Sequence, residues 1–374
     1  MAGLYIHIPF CKTACYYCNF HFSTNKKNIN QVIDAICKEI EIRSEVSRKD
    51  LIQTIYFGGG TPSLLSYSQL NMIFKTIYEN YNVSSCAEVT MELNPDDLSK
   101  EKIIQFENSK INRLSIGIQS FFDEDLKWMN RAHNSEQSHS SIEIAKKYFD
   151  NISVDLLYGI PQMSDERWLA NLQIVFNLKL NHMSCYALTV EPKTPLNYLI
   201  KKKKQPPLCE DQAANHFRIL VKEAKENGFE HYEVCSFGKT GYFSKHNCNY
   251  WLGTPYFGIG PSAHSYNGNT RSWNISNNKK YIDALTNNIL PFESESLTIE
   301  NQFNEYVMTG LRTVWGVSLK KIEIEFGTVF KCRLLQNADK YLKTNFLKIE
   351  NLHLKATNRG KFLVDGIASD LFIF

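Results

Sequence analysis

Six times in its first 230 residues the chain runs from a short apolar stretch into a stretch of helical spacing, and this alternation restricts the folds open to it. The apolar runs are Leu4 to Ile8, Ile52 to Phe57, Ala87 to Leu93, Asn112 to Ile118, Ser153 to Tyr158 and Met183 to Leu188. Each reads as a strand, and Leu114, Ile116 and Ile118 alternate strictly with smaller or polar residues. Between them, Ile29 to Val46 carries isoleucine and valine at helical intervals, and Ser66 with Gln69 forms a capping box. Ser99, Asn134 and Ser164 open further helices, and Glu210 to Asn227 is a helix that Gly228 ends. Repeated strand–helix units imply right-handed crossovers and a parallel sheet. Six units are too few for the eight-fold barrel, so we expect an α/β fold built as a partial (β/α)6 parallel barrel. A flat doubly wound sheet is the alternative.

In parallel α/β folds the carboxyl ends of the strands form one rim, where sites are assembled. Cys11, Cys15 and Cys18 follow the first strand on one short loop. Three thiolates so spaced suit three corners of an iron–sulfur cluster and leave the fourth iron open to a small molecule. Gly58-Gly59-Gly60-Thr61 follows the second strand, Glu92 ends the third, Gln119 ends the fourth, Asp155 lies in the fifth and Ala187 ends the sixth. Glycines let backbone approach a ligand closely. Carboxylates accept from an ammonium group or ribose hydroxyls, and Gln119 and Arg131 suit a carboxylate or a ribose. A zinc site completed by His7 and His21 is the rival reading, but neither histidine has metal-finger spacing.

Bulk properties exclude other classes. A net charge of +3 gives no broad attraction to nucleic acid. No apolar run approaches the length of a membrane span, and the N-terminal residues lack a signal-peptide pattern, so a cytoplasmic protein is expected. Ten cysteines in such a chain point to ligation rather than a disulfide framework.

After residue 230 the pattern changes. We expect three parts: 1–230 as the barrel, 231–297 as an irregular extension, and 298–374 as a small C-terminal domain of winged-helix type. Its helices are expected near 300–314, 318–326 and 331–344, followed by a hairpin over Phe346 to Leu354 and a last helix from Thr357. That domain shows no basic recognition face. Lys201 to Lys204 reads as a solvated loop.

The cysteine loop with Tyr17 resembles the radical S-adenosylmethionine (SAM) superfamily. The chain is similar to the branch containing the oxygen-independent coproporphyrinogen dehydrogenases (HemN) and the haem chaperones (HemW). The resemblance is carried by Tyr5-Ile6-His7-Ile8-Pro9-Phe10-Cys11, Gly58 to Ser63, Glu92-Leu93-Asn94-Pro95, Gly117-Ile118-Gln119-Ser120-Phe121, Asn130-Arg131-Ala132-His133 and Asp155 to Pro161. It implies a [4Fe–4S] cluster on Cys11, Cys15 and Cys18, and SAM held by Tyr5, Gly59, Gly60, Thr61, Glu92, Gln119, Arg131, Asp155 and Ala187. Phe20 stands where the dehydrogenases carry a fourth cysteine, and only four residues precede Tyr5. His246-Asn247-Cys248-Asn249-Tyr250-Trp251 resembles the His-Asn-x3-Trp motif of the chaperones, which makes His246 a candidate haem ligand. The resemblance thus implies a haem chaperone with haem as cargo, a respiratory haem-accepting partner and an electron donor for the cluster. Coproporphyrinogen III dehydrogenation is the alternative, and a radical methyltransferase a weaker one.

Overall fold

The computed structural model describes residues 1–47 and 50–374. The expected strands form as β1 (Ala2–Ile8), β2 (Leu51–Gly59), β3 (Asn82–Leu93), β4 (Arg113–Gln119), β5 (Ile152–Tyr158) and β6 (His182–Ala187). They lie side by side in chain order, all parallel. One face of each strand is apolar and packed under helices; Leu114, Ile116 and Ile118 are fully buried. The other face is polar: Tyr5 and His7 on β1, Tyr56 on β2, Thr90 and Glu92 on β3, Arg113 and Ser115 on β4, Ser153 and Asp155 on β5. Side chains two residues apart share a face, so these residues line the concave side of the curved sheet.

The helix starts are set by local chemistry. Ser66 and Gln69 exchange hydrogen bonds as a capping box, and so do Asn134 and Gln137. Ser99 and Ser164 cap their helices through side-chain oxygens.

The stretch 231–297, expected to be irregular, instead extends the sheet at both ends. After the short strands β7 (Glu230–His231) and β8 (Ser236–Gly238) come β9 (Tyr256–Ile259), β10 (His264–Tyr266), β11 (Thr270–Asn274) and β12 (Phe292–Ser296). β8 pairs antiparallel with β6, and β7 with β8. β9 returns across the molecule to pair parallel with β1, opposing Gly3 with Tyr256 and Tyr5 with Gly258. β10, β11 and β12 follow antiparallel. The expected boundary at 230/231 therefore falls inside β7. The two ends of this twelve-stranded sheet, β7 and β12, do not pair, so the barrel stays open. All of β12 is exposed, and its glutamates suit an edge that must not recruit another strand.

Residues 303–373 form a second apolar cluster around Phe303, Val307, Leu334 and Leu354. Its helices are Ile299–Leu311, Leu319–Glu325 and Thr328–Lys343. The hairpin strands are β14 (Leu347–Glu350) and β15 (His353–Ala356), preceded in the chain by the unforeseen strand β13 (Val317–Ser318), which pairs with β15. This helix–strand–helix–helix–strand–strand order is that of a winged helix. Asn351 and Leu352 turn the hairpin with φ of 50° and 60°. The final helix runs Val364–Asp370, later than Thr357, because a 3-10 turn over Lys361–Leu363 intervenes.

Candidate functional site

A cavity of about 410 Å³ opens at the carboxyl ends of β1 to β6. It is lined by Cys11, Cys15 and Cys18, by Gly59, Gly60 and Thr61, and by Glu92, Gln119, Arg131, Asp155 and Ala187. Residues from the loop after β1 and from five further strand ends thus meet around one space.

The cysteine loop is held from several sides. Gly60 N–H donates to Ile8 O at 2.9 Å, and a Cβ at Gly60 would lie 2.5 Å from Phe10 O. Only glycine permits that approach. Cys11 N–H donates to Ser23 O, Tyr16 N–H to Met129 O and Cys18 N–H to Cys15 O. Thr61 Oγ1 lies 3.5 Å from Cys11 Sγ, and Arg131 Nη1 lies 3.4 Å from Cys15 Sγ. Arg131 is itself fixed through Nη2, which donates to Asn94 Oδ1 at 2.6 Å and Gly117 O at 2.7 Å. Its Nε is buried without a hydrogen-bond partner. Burial pushes the Cys11 thiol up to about 11, against the Thr61 hydroxyl, and raises Cys18 as well. Ligation by a metal centre would have to displace these protons.

The two carboxyls share the cavity wall. Tyr56 OH donates to Glu92 Oε1 at 2.8 Å, and Gly59 N–H to Oε2 at 3.3 Å. Burial pushes Glu92 up to about 7, the Tyr56 hydrogen bond opposes this, and Asp155 adds to it. Asp155 accepts from Ser115 Oγ; burial raises it to about 6, against the Arg113 guanidinium. Gln119 follows a register shift in the β4–β5 pairing and has a φ of 66°, a strained conformation away from glycine. That kink places its side chain on the cavity wall.

Two candidates are not brought here. Tyr5 sits one row back, with its OH 3.2 Å from His7 Nδ1, and lines a different cavity. His246, on the helix Lys245–Trp251, is buried to 1% exposure. Its Nδ1 is 2.8 Å from Thr54 Oγ1 and its Nε2 is 2.8 Å from Tyr250 OH. Both ring nitrogens thus have partners inside the protein, and ligation of haem by His246 would require one of these hydrogen bonds to open. Burial, then Arg113, lowers its pKa to about 3. The histidines of the zinc alternative also have partners. His7 bonds Tyr5 OH and His21 O, and His21 bonds Asn278.

Asn94, Tyr56, Ser115 and Arg113 were not foreseen as members of the site. Asn94 joins Thr61 to Arg131, accepting from the latter and donating to Thr61 Oγ1 at 3.0 Å. Strand parity from Glu92 and Asp155, across to the polar positions of neighbouring strands, is the signal that would have found the other three.

Residues 5–174 match the model of the radical SAM superfamily, and residues 297–363 match that of the HemN C-terminal domain. The haem chaperone HemW of Bacillus subtilis is 36% identical over 332 residues, spanning 87% of this chain and 87% of that protein. The chain belongs to the HemW family. HemW of Lactococcus lactis is 32% identical over 97% of each chain. The fold is also that of the Escherichia coli coproporphyrinogen III oxidase HemN, with a TM-score of 0.86 at 22% identity, covering 99% of this chain and 90% of that one.

Proposed function

We propose that this protein is a haem chaperone built on a radical SAM scaffold, which binds a [4Fe–4S] cluster and SAM and passes haem to an acceptor such as a respiratory haem protein. The observation that carries the reading is the full-length match to HemW chaperones by a chain whose three loop cysteines share one cavity with acceptors and donors suited to SAM. The acceptor and an electron donor for the cluster are partners of the proposal. We place its action in the cytoplasm, where ten free cysteines stay reduced. No described helix is long and apolar enough to cross a membrane.

The residues fit the cofactors. Cys11, Cys15 and Cys18 would hold the cluster, with Thr61 and Arg131 donating to two of the sulfurs; such hydrogen bonds tune a cluster's potential. Gly59, Gly60, Thr61, Glu92, Gln119, Arg131, Asp155 and Ala187 would hold SAM. Glu92 and Asp155, raised by burial, ionise more readily once a cationic group lies beside them. The cluster and SAM, when bound, supply electron transfer and a source of radical chemistry. The protein's part is to position them and to shield the thiolates. Phe20, 67% exposed, stands at the mouth where the dehydrogenases bring a further cysteine.

The test is a haem titration of the anaerobically reconstituted protein, followed by mixing with a haem-free haem protein. Stoichiometric binding and onward transfer are expected. Failure to bind haem overturns the reading. So does formation of protoporphyrinogen IX from coproporphyrinogen III in the presence of reductant and SAM, which would make the protein a dehydrogenase.

A further inference from the structure

The run Lys201-Lys202-Lys203-Lys204 belongs to no cofactor site, yet the fold ties it to the cysteine loop. It spans the end of the helix Pro195–Lys201 and the turn that follows. At the start of that helix Leu196 N–H donates to Tyr16 O at 2.8 Å, one residue past Cys15. Beyond the turn, Gln205 Oε1 accepts from Trp128 Nε1 at 2.6 Å. Trp128 ends the helix Asp123–Trp128, and the next residue, Met129, accepts Tyr16 N–H at its carbonyl, at 3.1 Å. Asn130 Nδ2 adds a bond to Ala14 O at 2.8 Å. The lysine turn and the cysteine loop are thus joined in a ring of contacts that closes on both sides of Tyr16.

The turn itself is fixed. Lys203 N–H donates to Ile200 O and Lys204 N–H to Leu199 O, with Lys203 at a φ of 56°. From Leu196 to Lys201 the helix advances only about 8 Å at 1.5 Å per residue. All four side chains are exposed, and none is held in an ion pair among the described residues. Lys202 lies over the Tyr198 ring at 5.9 Å. Lys127, next to Trp128, is exposed as well and adds to the charge here. One cation answers the carbonyls of a helix C-terminus; four in a row repel one another, which an acidic surface laid against them relieves.

We infer that this lysine turn is the docking surface for an acidic protein that delivers single electrons to the cluster. The inference rests on the cluster-and-SAM reading and deepens it by locating the donor. In the delivery the donor is oxidised by one electron, the cluster is reduced by one, and no bond forms or breaks. Redox encounters bury little area, so opposite charge has to steer and orient the partner. Electron transfer weakens steeply with distance, and this turn is bonded to the loop that carries the cluster ligands. An anionic membrane is a poorer match. It takes up apolar side chains along with lysines, and of the large apolar and aromatic residues in 195–208 only Tyr198 is exposed.

The experiment uses the full chain, cluster-free and reconstituted, with two acidic probes, a flavodoxin and a plant-type ferredoxin. The natural protein is compared with a variant combining Lys201→Glu, Lys202→Glu, Lys203→Glu and Lys204→Glu, and with a control combining Lys146→Glu and Lys147→Glu. The control pair is exposed and precedes β5, at the amino ends of the strands, opposite the cysteine loop. Calorimetry on cluster-free protein should show binding of a probe that weakens with salt, weakens at least about tenfold in the four-lysine variant, and is unchanged in the control. In reconstituted protein, cluster reduction by that reduced probe should slow to a similar degree in the four-lysine variant, while reduction by dithionite keeps its natural rate. Natural affinity and reduction rate in the four-lysine variant overturn the assignment, as does an equal loss in the control, which would make the effect one of net charge alone. Binding of neither probe by the natural protein overturns it too. If the variant loses binding to vesicles of anionic lipid but keeps the probe, the turn is a membrane surface and the assignment falls. A natural chain that loads no iron on reconstitution overturns the cluster reading itself.

Discussion

Arg131 Nη1 lies 3.4 Å from Cys15 Sγ while its Nη2 grips Asn94 and Gly117. One buried guanidinium thus couples the cysteine loop to the ends of β3 and β4. A planar fork makes both contacts at once, and a lysine cannot. Arg131→Ala should lower stability by about 3 kcal/mol, because Asn94 and a buried carbonyl lose their donor. It should also reduce cluster loading after reconstitution. Arg131→Lys should recover part of the stability and little of the loading. Chemical denaturation and iron content measure the two effects, and wild-type loading in Arg131→Ala would show that the arginine does not support the cluster loop.

Gly60 is where β2 and the cysteine loop touch. A Cβ there would collide with Phe10 O at 2.5 Å and with Ile8 O at 2.8 Å. Backbone cannot yield as a flexible side chain does, so Gly60→Ala must move the loop. The expected result is loss of most cluster absorbance with the far-ultraviolet circular dichroism unchanged. Full iron loading in Gly60→Ala would show that the loop tolerates the shift.

Glu92 gives the cofactor-free protein a pH dependence. Its pKa in the folded chain, about 7, is above that of an exposed glutamate. The folded state therefore holds the proton more tightly than the unfolded one, and stability falls as pH rises from about 5 through 7. The loss is complete above pH 8 and amounts to about 3 kcal/mol at 1.36 kcal/mol per pH unit. Glu92→Gln should flatten this fall while keeping an acceptor for Tyr56. Thermal unfolding of cluster-free protein across pH 5–8 checks it; parallel curves for the two proteins would assign the dependence to other groups.

The readable parts of this molecule are those written over short spans of chain. Cysteine spacing, the capping boxes at Ser66 and Asn134, and the alternation of Leu114, Ile116 and Ile118 all act between residues a few positions apart. Parallel order then follows from handed crossovers, and the shared rim of strand ends follows from parallel order. Eleven of the twelve residues named for the cluster and SAM, Tyr5 being the exception, could therefore be assembled around one cavity without knowing a single contact.

What the tertiary structure alone decided depends on partners far apart in sequence. β9 pairs with β1 across some 250 residues, which turns an apparently irregular stretch into sheet and creates an aromatic cavity. β13 is two residues long and exists only because β15 offers it hydrogen bonds. His246 sits in a motif that reads as an iron ligand, yet Thr54, 192 residues earlier, and Tyr250 occupy both its nitrogens. Which hydrogen-bond partners burial brings to a histidine ring depends on the fold, and here one comes from a distant strand and one from the next helical turn. The cysteine loop was legible because its chemistry is local; the surroundings of His246 were not, because Thr54 reaches its ring from a distant strand.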